Sequence, residues 1–465
     1  MDFKECRRVS LDQDSIQPNA LNANAQYAAY HCTLPVIKNM EIKEYIEYLK
    51  KAKPFQVELS RFELSEIPEE IFEFTWIENL ILGLHMNYHI YEFEGKRGCK
   101  LKTIPTEIIK LNNLKSLSLS GTPFGGTKPE IDNFEILREL KNLVFLDLTN
   151  TKLKNIEFIN DLDNLKHLQI GLTEIEDYSP LKYKTDLISL TIGDNLIESL
   201  EFLKDLNNLE ALSLTTNKLT SLNHLEDKSK LKRLCICNNE IKDYSNLKHL
   251  ENLEIFCNGS INHRIEDLEH NTKLKEFTTE KIDQSGLNKI SNFIQLDKVD
   301  IWNYNGDIVD VSPLKNVAEI QIYGSFNKII GLEHLQNVIS IHISSPNLHS
   351  IYIPYKRTLK KIGIPECQVS NFDFYEDFKD IEAIDVGRTN IKDLSPIAKL
   401  TNLKRLYFGK TRVKTLKPIL SLVNNNIDLH FAECEGLEEL SHQYYEEGSK
   451  AIVEYYKNTT GNTAL

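Results

Sequence analysis

Along most of this chain, aliphatic residues return in the spacing L-x-x-L-x-L. The first leucine-type position falls at Leu143, Leu165, Leu187, Leu209, Leu231, Leu253, Leu274, Leu296, Val317, Val338, Leu359, Ile381 and Leu403, at intervals of 21 or 22 residues. Upstream units begin near Pro54, Ile77 and Leu114 at longer intervals, and a last, degenerate unit carries Leu429 and Phe431. About seventeen units thus cover residues 54–432.

Within a unit, the alternation of Leu146-Asp147-Leu148 or Ile384-Asp385-Val386 is the period-2 signature of a short strand with one buried face. The next apolar positions, as in "TEIEDYSPL" and "TNIKDLSPI", turn the chain back. One unit cannot bury these side chains alone, so neighbours must stack, each strand pairing in parallel with the next. Six or so aliphatics per unit, at roughly 1.5–3 kcal/mol each before ordering entropy is subtracted, suffice to hold such a stack. A fixed period also makes one elongated body the expectation, in place of the two or more domains that 465 residues ordinarily suggest.

A stack needs covered ends. Residues 40–52 place Ile42, Tyr45, Ile46 and Leu49 on one helical face, so residues 38–53 are read as a helical N-terminal cap. Residues 433–465 read as a C-terminal cap of two short helices broken near Gly448, and residues 1–37 as a poorly ordered segment. Two upstream units use Glu66–Ile71 and Thr103–Ile108 for their turns, and insertions at 85–100 and 122–131 both follow a strand, so both project from one rim. Asn258 and Thr279 replace a core aliphatic, which predicts a local irregularity or bend.

The unit resembles the leucine-rich repeat. The 22-residue form with the turns Ile175–Leu181 and Ile391–Ile397 is similar to bacterial internalin-type repeats and to phosphatase-regulatory leucine-rich-repeat subunits. Residues Glu446–Tyr456 resemble the segment that joins such repeats to the GTPase domain of Roc-COR proteins. The resemblance implies an α/β fold: a curved leucine-rich-repeat solenoid with a parallel concave β-sheet and helical caps, whose concave face binds another macromolecule. The family's asparagine position holds Asn195, Asn217 and Asn239, with Thr151, Thr173, Thr389 and Thr411 elsewhere; either side chain can hydrogen-bond loop backbone. That assigns Gly409-Lys410-Thr411 to the repeat. A phosphate-binding P-loop would need a glycine where Lys404 stands.

Composition narrows the function. The 55 Lys and Arg against 68 Asp and Glu give a net charge of −13, which opposes nucleic-acid binding. No apolar run has the length of a signal peptide or a membrane span, and eight cysteines spread over the whole chain suit a reducing cytoplasm. The expectation is a cytoplasmic protein with no nucleic-acid or membrane partner. Cys235, Cys237 and Cys257 cluster, yet tetrahedral zinc wants a fourth ligand and no C-x-x-C pair accompanies them. No catalytic motif emerges, so neither an enzyme nor a cofactor is expected.

The candidate site lies on the concave columns. Trp302 and Tyr323 share one phase of successive strands, so their rings should be neighbours about 5 Å apart, and exposed aromatics favour binding hot spots. With Lys298, Asp300, Glu319, Gln321, Ser340 and His342 they form the expected partner-binding footprint; Arg405 and Tyr407, beside His430, form a weaker second patch. The reading is a non-enzymatic scaffold that captures a protein partner carrying a basic or aromatic-accepting surface. Two alternatives stand beside it: a sensor or targeting arm whose effector, such as a GTPase, is on another chain or was removed, and an enzyme-inhibiting or immunity-type regulator.

Overall fold

The computed structural model describes residues 40–83, 98–121, 128–260, 265–354, 356–370, 378–425 and 427–460. The segment 1–37 and most of both insertions lie outside the described residues. The chain divides into two compact units, 1–217 and 218–465.

In the first unit, helix α1 (Ile42–Ala52) buries Tyr45, Ile46 and Leu49. Seven parallel strands follow: β1 (Gln56–Glu58), β2 (Asn79–Ile81), β3 (Ser116–Ser118), β4 (Phe145–Asp147), β5 (His167–Gln169), β6 (Ser189–Thr191) and β7 (Ala211–Ser213), paired in sequence order. Each is three residues long, and β4 to β7 end as the chain enters a left-handed turn, with positive φ at Asn150, Leu172, Asp194 and Thr216. The residue before the turn must be small. A Cβ on Gly193 would lie 2.5 Å from Thr215 Oγ1 and 2.9 Å from its carbonyl oxygen.

The residue after the turn points inward and satisfies backbone that the turn leaves open. Asn217 Nδ2 donates to the carbonyls of Ile192 and Leu214, both at 3.0 Å, while its Oδ1 accepts from Ile197 N–H at 3.1 Å. Thr151 makes the shorter version, donating to Leu148 O at 2.7 Å. The return path is a 3₁₀ turn whose start is written in the sequence: Asp177 accepts from the N–H and hydroxyl of Ser179 before Pro180, an aspartate-initiated turn.

The second unit holds ten parallel strands of a main sheet: β8 (Arg233–Cys235), β9 (Ile255–Ser260), β10 (Glu276–Lys281), β11 (Lys298–Tyr304), β13 (Glu319–Gly324), β15 (Ser340–Ser344), β16 (Lys361–Gly363), β17 (Ala383–Asp385), β18 (Arg405–Tyr407) and β19 (Asp428–His430). Two further strands, β12 (Ile308–Asp310) and β14 (Lys328–Ile330), pair beside it. Strands β8 and β16 to β19 repeat the short pattern, with left-handed Asn238, Glu366, Arg388, Lys410 and Glu433. Thr411, the residue that mimicked a P-loop, is buried and donates to Phe408 O at 2.8 Å.

Strands β9, β10, β11, β13 and β15 are five to seven residues long, and no non-glycine residue within them has positive φ. The expected irregularity at Asn258 and Thr279 lies here. Both are fully buried, and Thr279 Oγ1 lies 2.7 Å from Gly259 O and 3.3 Å from Asn258 Oδ1, so polar groups replace the aliphatic core position without being left unsatisfied. Tyr304 takes the slot an asparagine holds elsewhere, its hydroxyl 2.8 Å from Gln284 Oε1 and 2.9 Å from Ile308 O. Gln284, at the start of helix α2 (Gln284–Ile290), in turn accepts from Asp310 N–H and donates to Asp310 O, both at 2.9 Å. Its side-chain amide thus pairs with β12 as a neighbouring peptide would.

After a short helix α3 (Leu420–Val423), the unit closes with α4 (Glu438–Glu447) and α5 (Ser449–Thr460), which meet at Gly448 with φ 71°. The tyrosine hydroxyls of these helices finish the last repeats: Tyr444 accepts from Leu429 N–H at 3.0 Å and Tyr456 from Leu416 N–H at 2.6 Å.

Candidate functional site

Parallel in-register pairing puts equivalent residues of successive repeats in columns across the sheet face opposite the core. In the second unit one column runs Glu276, Lys298, Glu319, Ser340 and the next runs Thr278, Asp300, Gln321, His342. Lys298, Asp300, Glu319, Gln321, Ser340 and His342 therefore occupy three adjacent strands. Arg405 and Tyr407 lie on β18, separated from that group by β16 and β17.

Charge concentrates around Lys298. Its ammonium is 3.3 Å from Asp300 Oδ2 and stands in register between Glu276 and Glu319. Burial works against its charge, but Asp300, Glu276 and Glu319 outweigh burial and hold its pKa above the ordinary lysine value. Burial raises the Glu276 carboxyl above its usual range despite Lys298 and Arg233 nearby. Three carboxylates around one ammonium leave an excess of negative charge. Sequence reading omitted Glu276, although its place one repeat before Lys298 in the same column was the available signal.

The even phase expected for Trp302 and Tyr323 is broken. Ile301 pairs with Ile322 but Tyr304 pairs with Gly324, so Trp302 and Asn303 together stand opposite Tyr323. This bulge, with no left-handed turn to close, leaves the indole 55% exposed, the re-aiming of a side chain that bulges produce. In the regular repeats the same column holds Gly171, Gly193 and the buried Cys237, small because the neighbouring backbone is close. That column therefore carries mostly small residues in the short-strand repeats, whereas on the bulged strand it carries the exposed Trp302.

The Tyr323 ring lies 5.3 Å from that of His342, which leans over Gly363 of the next strand: a Cβ there would be 2.3 Å from His342 Nδ1. Beyond the glycine stands Asp385. Burial lowers the His342 pKa below its ordinary value, against the pull of Asp385 and Asp300, and burial raises that of Asp385 despite the Gly387 N–H it accepts at 2.9 Å. In the second patch Tyr407 stacks on His430 at 4.2 Å and 7°.

Among the described residues no group of three His, Cys, Asp or Glu side chains is placed to hold a metal ion, and no helix is long and apolar enough to cross a membrane. Cys237 is buried with its sulfur 3.2 Å from Asn258 O.

Each unit is thus a leucine-rich-repeat-like stack of parallel strands and 3₁₀ turns. No family model matches the chain, and no curated protein matches it. Among solved structures it is similar to an internalin of Listeria monocytogenes (19% identity over 81% of this chain and 87% of that one, TM-score 0.37). It is also similar to a leucine-rich-repeat protein of Leptospira interrogans (18% identity, 88% and 97%, TM-score 0.44). A third is TLR13 in its complex with ssRNA13 (15% identity, 84% and 59%, TM-score 0.43).

Proposed function

We propose that this chain is a non-enzymatic, cytoplasmic scaffold that captures a protein partner on the sheet face of β11, β13 and β15. The observation that carries the reading is Trp302, a large aromatic 55% exposed on a bulged strand, beside the Tyr323–His342 pair and the carboxylates around Lys298. A rigid aromatic gains contact area at low entropic cost, and the surrounding negative charge favours a partner with a basic surface. Association should slow as salt rises.

The test is a crosslinked pull-down from native lysate with the wild type and with a Trp302→Ala, Tyr323→Ala, His342→Ala variant, both shown folded by circular dichroism. The reading expects a partner recovered by the wild type and lost by the folded variant. Equal recovery by both overturns it and moves attention to the insertions at 85–100 and 122–131 or to the C-terminal helices.

A further inference from the structure

Four of the six described cysteines, Cys99, Cys237, Cys367 and Cys434, are buried; Cys235 and Cys257 are half-buried. These two face each other. They are register partners on β8 and β9, and neighbouring parallel strands run about 4.8 Å apart, inside the roughly 4.4–6.8 Å between Cα atoms that a disulfide accepts. Both side chains stand on the same face, and their thiols share a hydrogen bond. Arg233, two residues before Cys235, lies close enough to interact with both sulfurs.

We infer that Cys235 and Cys257 are a reversible dithiol site, oxidised to a cross-strand disulfide by exchange with a small-molecule disulfide such as oxidised glutathione. The Cys235 thiolate attacks one sulfur of the reagent, giving a protein–glutathione mixed disulfide and releasing one glutathione thiolate. Cys257 then loses its proton to solvent, attacks the Cys235 sulfur and expels the second glutathione. Two protein thiols are oxidised and one reagent disulfide is reduced to two thiols, so electrons balance. The order follows from the surroundings: the hydrogen bond to Cys235 and burial hold the Cys257 thiol protonated well above the ordinary range, whereas its own step is intramolecular and needs no access for the reagent.

The bond would be a labile one. In-register Cβ atoms on parallel strands sit near the strand spacing, about 4.8 Å, wider than the ~3.8 Å a relaxed disulfide prefers, and strained disulfides are the readily reduced ones. Oxidation would staple β8 to β9, where three-residue strands give way to long ones.

The native protein is treated with oxidised glutathione, quenched with an alkylating agent, and digested with trypsin. The expected product joins peptide 234–242 to peptide 249–264, weighs about two mass units less than the reduced pair, and disappears with dithiothreitol. Because the first peptide carries both Cys235 and Cys237, the assignment rests on variants whose circular dichroism matches the wild type. Cys237→Ser should keep the product, and Cys257→Ser should instead accumulate a glutathione adduct on Cys235. Mixed disulfides alone in the wild type, or a product that survives Cys235→Ser and is lost in Cys237→Ser, overturns the inference.

Discussion

Two kinds of repeat share one period in this chain. In β4 to β7, and again in β16 to β19, the strand stops after three residues at a left-handed turn, and the Asn, Thr or Cys that follows ties the turn to the core. In β9, β10, β11, β13 and β15 the strand runs on and the turn is absent. The first kind specifies its backbone closely and leaves the column before the turn little room for a side chain. The second gives up the turn, fills the Asn slot with groups such as Tyr304 and gains a surface where Trp302 stands exposed. Local regularity and surface chemistry are alternatives at that one position.

The strongest way to break the comparison is to place bulk in the short-strand column. Gly193→Val should lower stability by about 3 kcal/mol or more, because its Cβ meets Thr215 backbone as well as side chain. Tyr323→Ala, at the same phase in the long-strand set, should cost far less; urea denaturation of both variants measures the difference. Next, Asn217→Ala removes a side chain whose amide serves three backbone groups, and should cost about 2 kcal/mol in the same assay. Its long-strand counterpart, Tyr304→Phe, loses only a hydroxyl and should cost about 1 kcal/mol. Hydrogen exchange at Ile308 to Asp310 should then quicken.

The smallest effect concerns pH. His342 packs on Tyr323, over Gly363, and faces Asp300 and Asp385. Its folded pKa is depressed, so its contribution to stability is present above the unfolded histidine value of about 6.5 and is lost as pH falls below it. Asp385, raised by burial, acts in the opposite sense and at lower pH, in the carboxylate range. Urea midpoints at pH 8 and pH 5.5 should therefore differ more in the wild type than in His342→Gln, by a few tenths of a kcal/mol at least.

Periodicity made the core legible, since Leu146, Leu168 and Leu190 recur at the spacing that parallel stacking requires and all are fully buried. The columns were legible for the same reason, which is why Asp300, Gln321 and His342 are found side by side. The bulge was not, because nothing in a hydrophobic pattern records that two residues, Trp302 and Asn303, stand opposite the single Tyr323. Nor does the pattern mark Lys184 and Lys228. Both are buried, and Lys184 Nζ donates to Leu162 O at 2.7 Å, one repeat back. A sequence read one unit at a time does not contain that partner.

That backward reach is general. Asn113 donates to Thr75 O, Asn142 to Asn112 O, Asn164 to Lys141 O and Asn208 to Thr185 O in the first unit, and Asn252 to Ser229 O and Asn402 to Lys379 O in the second. In every case the later repeat brings the donor and the earlier one supplies the waiting carbonyl. The stack therefore has a polarity suited to ribosomal synthesis. Each repeat leaving the ribosome completes the one before it, as the hydroxyls of Tyr444 and Tyr456 do for the N–H groups of Leu429 and Leu416.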